Sequence, residues 1–349
     1  MTDHQAGSKP RTASATIKDV ARLAGVSLGS VSRVLNDKAS VTAEVRTRVL
    51  SAIDALGYQP NTVAQSMRSQ VSRTVGCIIR DINIPGLAAF VRAAHDIFME
   101  QGYALLLSNS EGRAEREREL VSVMAARRAD ALLIGHYSEL DPDLEAVLKR
   151  ANIPVVLVDR ERPDWADAVM VNHQGAVRRA TERLIQLGHR RIALLTGRDT
   201  LYPARERIAG FLKAYEALGL SCDPSLVRSG SFEAEFGFEQ TSLLISSSNR
   251  PTAIIAGGIE MLPGVVRALR LHGLAVPRDI SLVGTLNSDL AELHEPPISV
   301  EHWDYAEVGR IAARFALERM RDSATLEPRR LLIPSDFMLR ESCSAPPSV

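Results

Sequence analysis

The residues of this sequence whose types and spacing first indicate a binding function form one short predicted helix. One face of this helix could recognise a polar partner surface. In SLGSVSRVLN (27–36), Val31, Val34 and Leu35 make an apolar stripe, and the opposite arc is small and polar with one long cation. If the apolar stripe packs against neighbouring helices, the polar arc faces outward. The helix can then enter a DNA major groove, where Arg33 can make a bidentate contact to guanine. A helical hairpin with a solvated polar face is the ordinary alternative. The polar arc comprises Gly29, Ser32, Arg33 and Asn36.

Two further predicted helices must hold this one in place. Thr16 is a good N-cap for the first of them, with an acidic residue three positions on, and Gly25 ends it where a positive φ is easiest. A third helix is predicted from Thr42 to Leu56. Three helices with a shared core predict a compact headpiece over residues 16–60, preceded by a polar tail, residues 1–15, without periodicity.

From residue 72 onward, apolar strands alternate with amphipathic helices. Continuous Val/Ile/Leu runs linked by helices predict parallel sheets that are covered on both faces. The strands are too many for one compact sheet, so residues 72–349 are predicted to form two doubly wound lobes. The predicted strands are 74–82, 103–110, 131–135, 154–160, 191–197, 252–257 and 280–285; the helices lie near 87–101, 113–128, 142–151, 174–187, 204–218, 235–247, 261–272 and 302–320.

The composition is that of an ordinary globular protein. The chain has 349 residues, of which 45% are hydrophobic and 24% charged, and no apolar run approaches the ~20 residues of a membrane span. The N-terminus has no apolar segment of the secretory kind. The three cysteines, Cys77, Cys222 and Cys343, are scattered. They indicate reduced thiols in a cytoplasmic protein, with no disulfide or zinc framework.

The net charge of zero conceals an asymmetry between the two parts of the chain. Residues 1–72 contain nine lysines and arginines against five acidic residues, a net charge of +4, so the remainder carries −4. A basic head on an acidic body is typical of a head that meets phosphates.

The sequence offers little for catalysis. Its eight histidines show no H-x-x-x-H pattern or pairing with cysteine at ligand spacing, and neither G-x-S-x-G nor a G-x-x-x-x-G-K loop occurs. His189, in LGHRRIALL, is predicted to be structural at a helix end. We therefore expect no enzyme, no cofactor and no metal site; an enzyme on a two-lobed core is the disfavoured alternative.

The wording GVSLGSVSRVLN, followed by a third helix and GYQPNTVAQSM, resembles the start of the LacI (lactose-repressor) family of regulators, and the resemblance extends to about residue 340. It implies an N-terminal all-α helix-turn-helix headpiece and an α/β core of two doubly wound lobes like periplasmic binding proteins of type I. It also implies a repressor that binds palindromic operator DNA as a homodimer, with a small-molecule effector as a possible regulator. A solute-binding protein of the same core fold is the alternative.

By the same resemblance, residues 61–71 form a hinge helix that orders on DNA, with an apolar side chain wedged into the minor groove. Family members usually place Leu at the wedge, where this chain has Met67. A plain linker is the alternative, because barely two helical turns cannot stand alone in water. The predicted DNA-binding residues are Thr16, Ser27, Leu28, Gly29, Ser30, Ser32, Arg33, Asn36, Tyr58, Asn61, Ala64, Met67 and Arg68.

The cleft between the lobes is where the resemblance implies an effector site, and there the chain departs from the family. Arg207, in RIAGF, matches the usual arginine, whereas Gly258, Ile259 and Leu286 replace the usual polar and acidic residues. Unpaired hydroxyls cost about 1–3 kcal/mol each, so a neutral hexose is disfavoured. With its arginines left without acidic neighbours, the cleft is expected to take an anionic or partly apolar ligand, or none. The predicted effector-binding residues are Arg207, Asp159, Arg160, Asn172 and Asn287.

Overall fold

The computed structural model describes residues 15–35, 41–58, 71–137, 139–321 and 327–347. The chain divides into two compact units, residues 1–72 and 73–349. The predicted tail up to residue 14, Asn36, and the predicted hinge positions Asn61, Ala64, Met67 and Arg68 lie outside the described residues.

The described residues of the first unit form three helices, α1 (Ile17–Ala24), α2 (Leu28–Leu35) and α3 (Ala43–Leu56). The predicted capping box is present at Thr16, and Gly25 ends α1 with φ of 62°. Val20, Val31 and Val49, one from each helix, are fully buried in a single cluster. The shared core that the sequence predicts therefore fixes how α2 is presented.

The first lobe of the second unit is a parallel sheet with helices on both faces. Its strands are β1 (Thr74–Ile79), β2 (Ala104–Asn109), β3 (Ala131–Ile134), β4 (Val155–Val158), β5 (Asp167–Val171) and β11 (Arg330–Ile333); its helices are α4 (Leu87–Glu100), α5 (Ala114–Ala126), α6 (Pro142–Ala151) and α12 (Tyr305–Arg321). The strand order is β11-β5-β4-β3-β1-β2. The helix α12 returns to this lobe as the resemblance implies, since Val308, Ala312 and Ala316 are buried in the same cluster as Val75 of β1.

The second lobe repeats the architecture with one antiparallel pair among its described strands. Its strands are β6 (Ile192–Gly197), β7 (Val227–Gly230), β8 (Ala253–Gly257), β9 (Ser281–Thr285), β10 (Ser299–His302) and β12 (Asp336–Met338); its helices are α7 (His173–Gln186), α8 (Tyr202–Ala217), α9 (Ala234–Ile245), α10 (Leu262–Leu271) and α11 (Asp289–Leu293). The order is β12-β10-β9-β8-β6-β7, in which β10 and β12 are the antiparallel pair.

Within the part of the core that the structure describes, the chain crosses between the lobes three times, at residue 172, at residues 303–304 and at residues 334–335. The predicted fold class, a helical headpiece followed by two doubly wound lobes, is confirmed. The predicted strands exist, and β5, β7, β10, β11 and β12 come in addition. The last long helix begins at Tyr305 and not at residue 302, because Ser299–His302 pair with both β9 and β12. No helix among the described residues is long and apolar enough to cross a membrane.

Candidate nucleic-acid interface and effector cleft

The face of α2 that points to solvent carries the side chains predicted to read DNA. Leu28 is 45% exposed although it is apolar, and Gly29 and Arg33 are exposed beside it. A Cβ on Gly29 would lie 3.8 Å from Nη2 of Arg33, so the guanidinium lies over the glycine, on the same face. Val31 and Val34 are buried behind this face. The helix thus presents one cation and one apolar side chain outward.

Several of the other residues predicted to contact DNA form hydrogen bonds or packing contacts within the same unit. The Thr16 hydroxyl donates to Asp19 Oδ2 at 2.6 Å within the capping box. The Ser27 hydroxyl lies 3.0 Å from that of Ser30 and accepts the backbone N–H of Ser30 at 3.2 Å. Tyr58 packs against the three-helix cluster, and Ser32 is partly buried. These groups shape the head, and their contact with DNA stays a prediction.

A cavity of about 760 Å³, counting the space at its open mouth, lies between the two lobes. It sits at the carboxyl ends of strands from both sheets, the position at which open α/β sheets bind ligands. Its wall combines apolar and aromatic side chains, among them Phe232, Trp303 and Tyr305, with three arginines, Arg80, Arg160 and Arg207. Two of the predicted effector residues, Asp159 and Arg160, therefore meet the third, Arg207, around one cavity.

The arginines of this cavity have acidic neighbours, and the expectation that they lack them was wrong. Nε of Arg207 lies 3.5 Å from Oε2 of Glu301, whose side chain is fully buried. Burial raises the pKa of Glu301, which Arg207 partly offsets. Arg80 forms an ion pair with Glu260, and Arg160 donates to the backbone of Asp159 at 2.6 Å. The charges of Arg80 and Arg207 are thus matched by carboxylates. Arg160 is close enough to the Asp159 carboxyl to lower its pKa, so the cavity does not specifically favour an anion.

Four side chains form a buried chain of hydrogen bonds and charges across the cavity floor. Asp159 follows β4 of the first lobe and lies 2.9 Å from Nε2 of His173, the first residue of α7. Nδ1 of His173 lies 3.0 Å from Nη2 of Arg207 on α8, which reaches Glu301 on β10. Burial and Arg207 lower the pKa of His173, against the opposing effect of Asp159. Burial alone would raise the pKa of Asp159. His173 and the arginines have the larger combined effect, so the pKa of Asp159 is lowered.

Two of the predicted effector residues do not line this cavity. Asn172 lies where the chain crosses between the lobes, and its side-chain oxygen accepts the backbone N–H of Gly175 at 2.9 Å, which caps α7. Asn287 accepts from Arg340 at 2.6 Å and donates to Glu292. Both amides are occupied by their own lobe, and the sequence could not show this because Arg340 lies 53 residues away.

The departures at Ile259 and Leu286 place apolar side chains of the second lobe against the first. Ile259 lines the cavity and packs on the first lobe's core cluster, and Leu286 is buried within that cluster. A Cβ on Gly86, whose φ is 88°, would lie 2.7 Å from a Leu286 methyl and 2.4 Å from the Tyr305 ring. The loop after β1 therefore closes tightly on residues of the other lobe and of the crossing segment.

A second contact between the lobes lies at the start of α8, the helix that carries Arg207. The N-cap residue Leu201 has no side chain to satisfy the first turn. Oε2 of Glu139, from the first lobe, instead accepts the backbone N–H of Tyr202 at 2.6 Å, while Oε1 accepts that of Glu161 at 2.7 Å. The Glu139 side chain is fully buried. A carboxylate at a helix N-terminus is favourable for the orphan N–H groups and for the helix dipole.

His189 takes the structural role that the sequence predicts. Its Nδ1 lies 2.8 Å from the Thr252 hydroxyl, and its Nε2 lies 2.8 Å from the carbonyl oxygen of Ser344. Among the described residues no group of three His, Cys, Asp or Glu side chains could hold a metal ion.

The comparisons with known proteins agree with both parts of this architecture. Residues 16–61 match the model of bacterial regulatory proteins of the lacI family, and residues 181–343 match a periplasmic binding protein-like domain.

Relatives and solved structures cover nearly the whole chain. The HTH-type transcriptional repressor PurR of Photobacterium profundum is 33% identical over 331 residues, 94% of this chain and 98% of that protein. The crystal structure of the lac repressor dimer bound to operator and the anti-inducer ONPF superimposes with a TM-score of 0.82 at 28% identity, covering 95% of this chain and 99% of that one. A complex of the transcriptional regulator CelR with cellobiose gives 0.70 at 30% identity, covering 94% and 99%.

A helix-turn-helix head joined to a two-lobed core with a central cavity defines the DNA-binding transcriptional repressors that carry an effector-binding core. Within that class, the chain belongs to the LacI family of bacterial regulatory proteins.

Proposed function

We propose that this chain represses transcription by binding a palindromic operator as a homodimer in the cytoplasm, without enzymatic activity. The exposed face of α2 carries the proposal, because Leu28 and Arg33 stand outward on a helix whose opposite side is fully packed. We assign base reading to Leu28, Gly29 and Arg33, the minor-groove wedge to Met67, and positioning on the DNA backbone to the predicted polar contacts of the headpiece. The relatives named repressors support the sign of regulation.

Footprinting on genomic DNA with the full-length protein tests this assignment. Two-fold symmetry of the protein predicts protected half-sites that are palindromic and about one helical turn apart, centre to centre. A secreted solute-binding protein of the same core fold, or an enzyme, would protect no sequence.

For the dimer we propose a surface on the second lobe, formed by α10, α11 and the groove between them. Leu293 on α11 is 81% exposed and Leu271 at the end of α10 is 70% exposed, and Leu274, Val276 and Leu290 line the groove. The occupant is a second copy, because a palindromic operator requires a two-fold related partner. The lac repressor structure that this chain resembles is named as a dimer.

Replacing Leu271 and Leu293 by Asp is expected to shift sedimentation from dimer to monomer and to weaken operator binding. Leu212→Asp is the matched control, since Leu212 is 45% exposed on α8, which packs against α7 and not against α10 or α11. Dimers that persist in the double variant would place the interface elsewhere.

We further propose that the cavity takes an effector with a flat or apolar body and polar edges, and not a neutral hexose. Phe232, Trp303 and Tyr305 supply aromatic wall, Ile259 supplies aliphatic wall, and Arg207 supplies the donors. Sugar recognition needs several free acceptors for hydroxyl groups, and the carboxylates at this wall, Asp159 and Glu260, are already paired with His173 and Arg80. The matched charges at the wall favour the partly apolar class over a strongly anionic one.

A further inference from the structure

We propose that His173 is a positioning residue of the cleft: as the neutral Nε2–H tautomer it orients the Arg207 guanidinium at the cavity wall and joins it to Asp159 of the other lobe. The inference rests on the proposed effector role of the cleft and assigns a regulatory contact within it.

The tautomer follows from donor and acceptor chemistry. A guanidinium nitrogen can only donate, so at 3.0 Å from Nη2 of Arg207 the His173 Nδ1 must accept and carries no proton. The remaining ring nitrogen, Nε2, then bears the hydrogen and donates to the Asp159 carboxylate, whose oxygens lie 2.9 and 3.0 Å away. An imidazolium, which has two N–H groups, cannot satisfy both neighbours.

The contacts are enclosed, which makes them directional and sensitive to charge. His173 is 1% exposed and Arg207 3% exposed, and Nε of the same guanidinium lies 3.5 Å from Oε2 of Glu301. Inside a protein, opposed N–H groups repel more strongly than in water. Adding a proton to Nδ1 therefore breaks the contact with Arg207 and strengthens the contact with Asp159.

The link also connects the two lobes. Asp159 belongs to the first lobe, whereas His173 and Arg207 belong to the second, and His173 follows directly on a crossing residue. A shift of either lobe relative to the other changes the Asp159–His173 distance. The orientation of Arg207, and with it the polar edge of the cavity, is thereby coupled to how the lobes meet.

The charged and titratable groups facing this link are Asp159 and Arg160 after β4, Tyr202 and Arg207 on α8, Glu301 on β10, Tyr305 on α12, and Arg179 of α7 facing Glu301.

The protein contains its own reporter of this proton. It has two tryptophans, Trp165 and Trp303, and the Trp303 ring lies 5.1 Å from the His173 ring in an edge-on arrangement. A protonated imidazole in contact with indole quenches its fluorescence, whereas a neutral one does so weakly. In a full-length Trp165→Phe protein, Trp303 emission against pH therefore reports the protonation of His173.

The experiment is a pH titration of Trp303 emission in that background, with circular dichroism recorded in parallel to exclude unfolding. We expect a quenching midpoint below the ordinary histidine value of about 6.5. Arg207→Gln should raise the midpoint by about one pH unit, because it removes a cation, and Asp159→Asn should lower it by a similar amount. His173→Gln should abolish the transition, and His136→Gln should leave it in place.

If His173→Gln folds poorly, His173→Asn is the second variant. It places an oxygen near the Nδ1 position, keeps an acceptor for Arg207, and should also lack the transition. A midpoint at or above about 6.5, or one that Arg207→Gln leaves unchanged, would overturn the inference. Operator binding by the same Trp165→Phe protein at neutral pH tests the proposed function separately, so either result can fail without the other.

Discussion

At the scale of single residues, the role of a side chain depends less on its residue type than on the partners that it contacts in the fold. Arg207 was found by resemblance in the sequence, but its partners Glu301 and His173 lie 94 and 34 residues away along the chain. Only folding brings them together, so the charge balance of the cavity was not visible from sequence. Arg33 is different, because helical spacing alone places it opposite the buried Val31 and Val34.

Replacing Arg33 by Ala is expected to cost about 1–3 kcal/mol at the operator and to relax preference at one base pair. Arg48, exposed on α3, is the matched control, and its replacement by Ala should weaken operator and random DNA alike. The measurement is binding by fluorescence anisotropy to operator duplexes with each position varied. Equal losses by Arg33→Ala on operator and random DNA would refute its reading role.

His136 gives a prediction on pH. It is 1% exposed, and burial, aided by the nearby Arg160, lowers its pKa to about 3. The unfolded chain takes up this proton near pH ~6.5, so the unfolded state binds more protons throughout the interval between the two values. The free energy of unfolding therefore falls as the pH falls from about 6.5 towards about 3. His173 and His189, whose pKa values burial also lowers, act in the same direction.

Urea unfolding at about pH 7.5 and about pH 5.0 measures this loss of stability. Wild type should lose more stability between the two conditions than His136→Gln does, because the variant lacks one of the groups concerned. Identical losses in the two proteins would show that His136 has the same pKa in the folded and in the unfolded state.

At the scale of elements, periodicity was a sufficient guide to most of the fold. Long helices such as α4 and buried strands such as β3 and β8 have patterns that admit few other structures. The strands β7 and β12 were missed because their residues, VRSG and DFM, contain no continuous apolar run and pair only in the finished sheets. The cap of α8 was missed for a related reason, since Glu139 lies 63 residues from Tyr202.

Glu139→Ala is expected to lower the free energy of unfolding by on the order of 3 kcal/mol, because it leaves three backbone N–H groups, those of Tyr202, Glu161 and Arg162, without their charged acceptor. Urea unfolding followed by circular dichroism provides the measurement. Glu235→Ala is the control, because its ion pair with Arg267 is exposed and should change stability by less than about 0.5 kcal/mol. A loss no larger than that of the control would mean that the cap contributes little to holding α8.

At the scale of the molecule, one chain carries both a helix-turn-helix headpiece and a two-lobed core with a cavity. The two lobes contact each other through Leu286, the Arg80–Glu260 ion pair and Glu139. Linkage requires that an effector that changes operator affinity is itself bound more or less tightly when DNA is present, by the same free energy. The cavity is therefore testable without knowledge of its natural ligand.

A thermal-shift screen of small molecules is expected to show no stabilisation by glucose or galactose. A ligand at a hundredfold excess over its Kd adds about 2.7 kcal/mol to the native state, which is visible as a higher Tm. Any aromatic or partly apolar compound that raises Tm should lose its effect in Arg207→Ala and should change operator affinity. A neutral hexose that raises Tm and shifts operator affinity would contradict the assignment of the cavity.

The central claim is that the full-length protein reads one DNA sequence as a two-fold dimer. Its most direct measurement is titration of the footprinted operator, a duplex with one half-site scrambled, and a random duplex at one fixed salt concentration. We predict two chains per operator, binding on the order of a thousandfold or more tighter than to random DNA, and a large loss when either half-site is scrambled. Equal affinity for all three duplexes would contradict it.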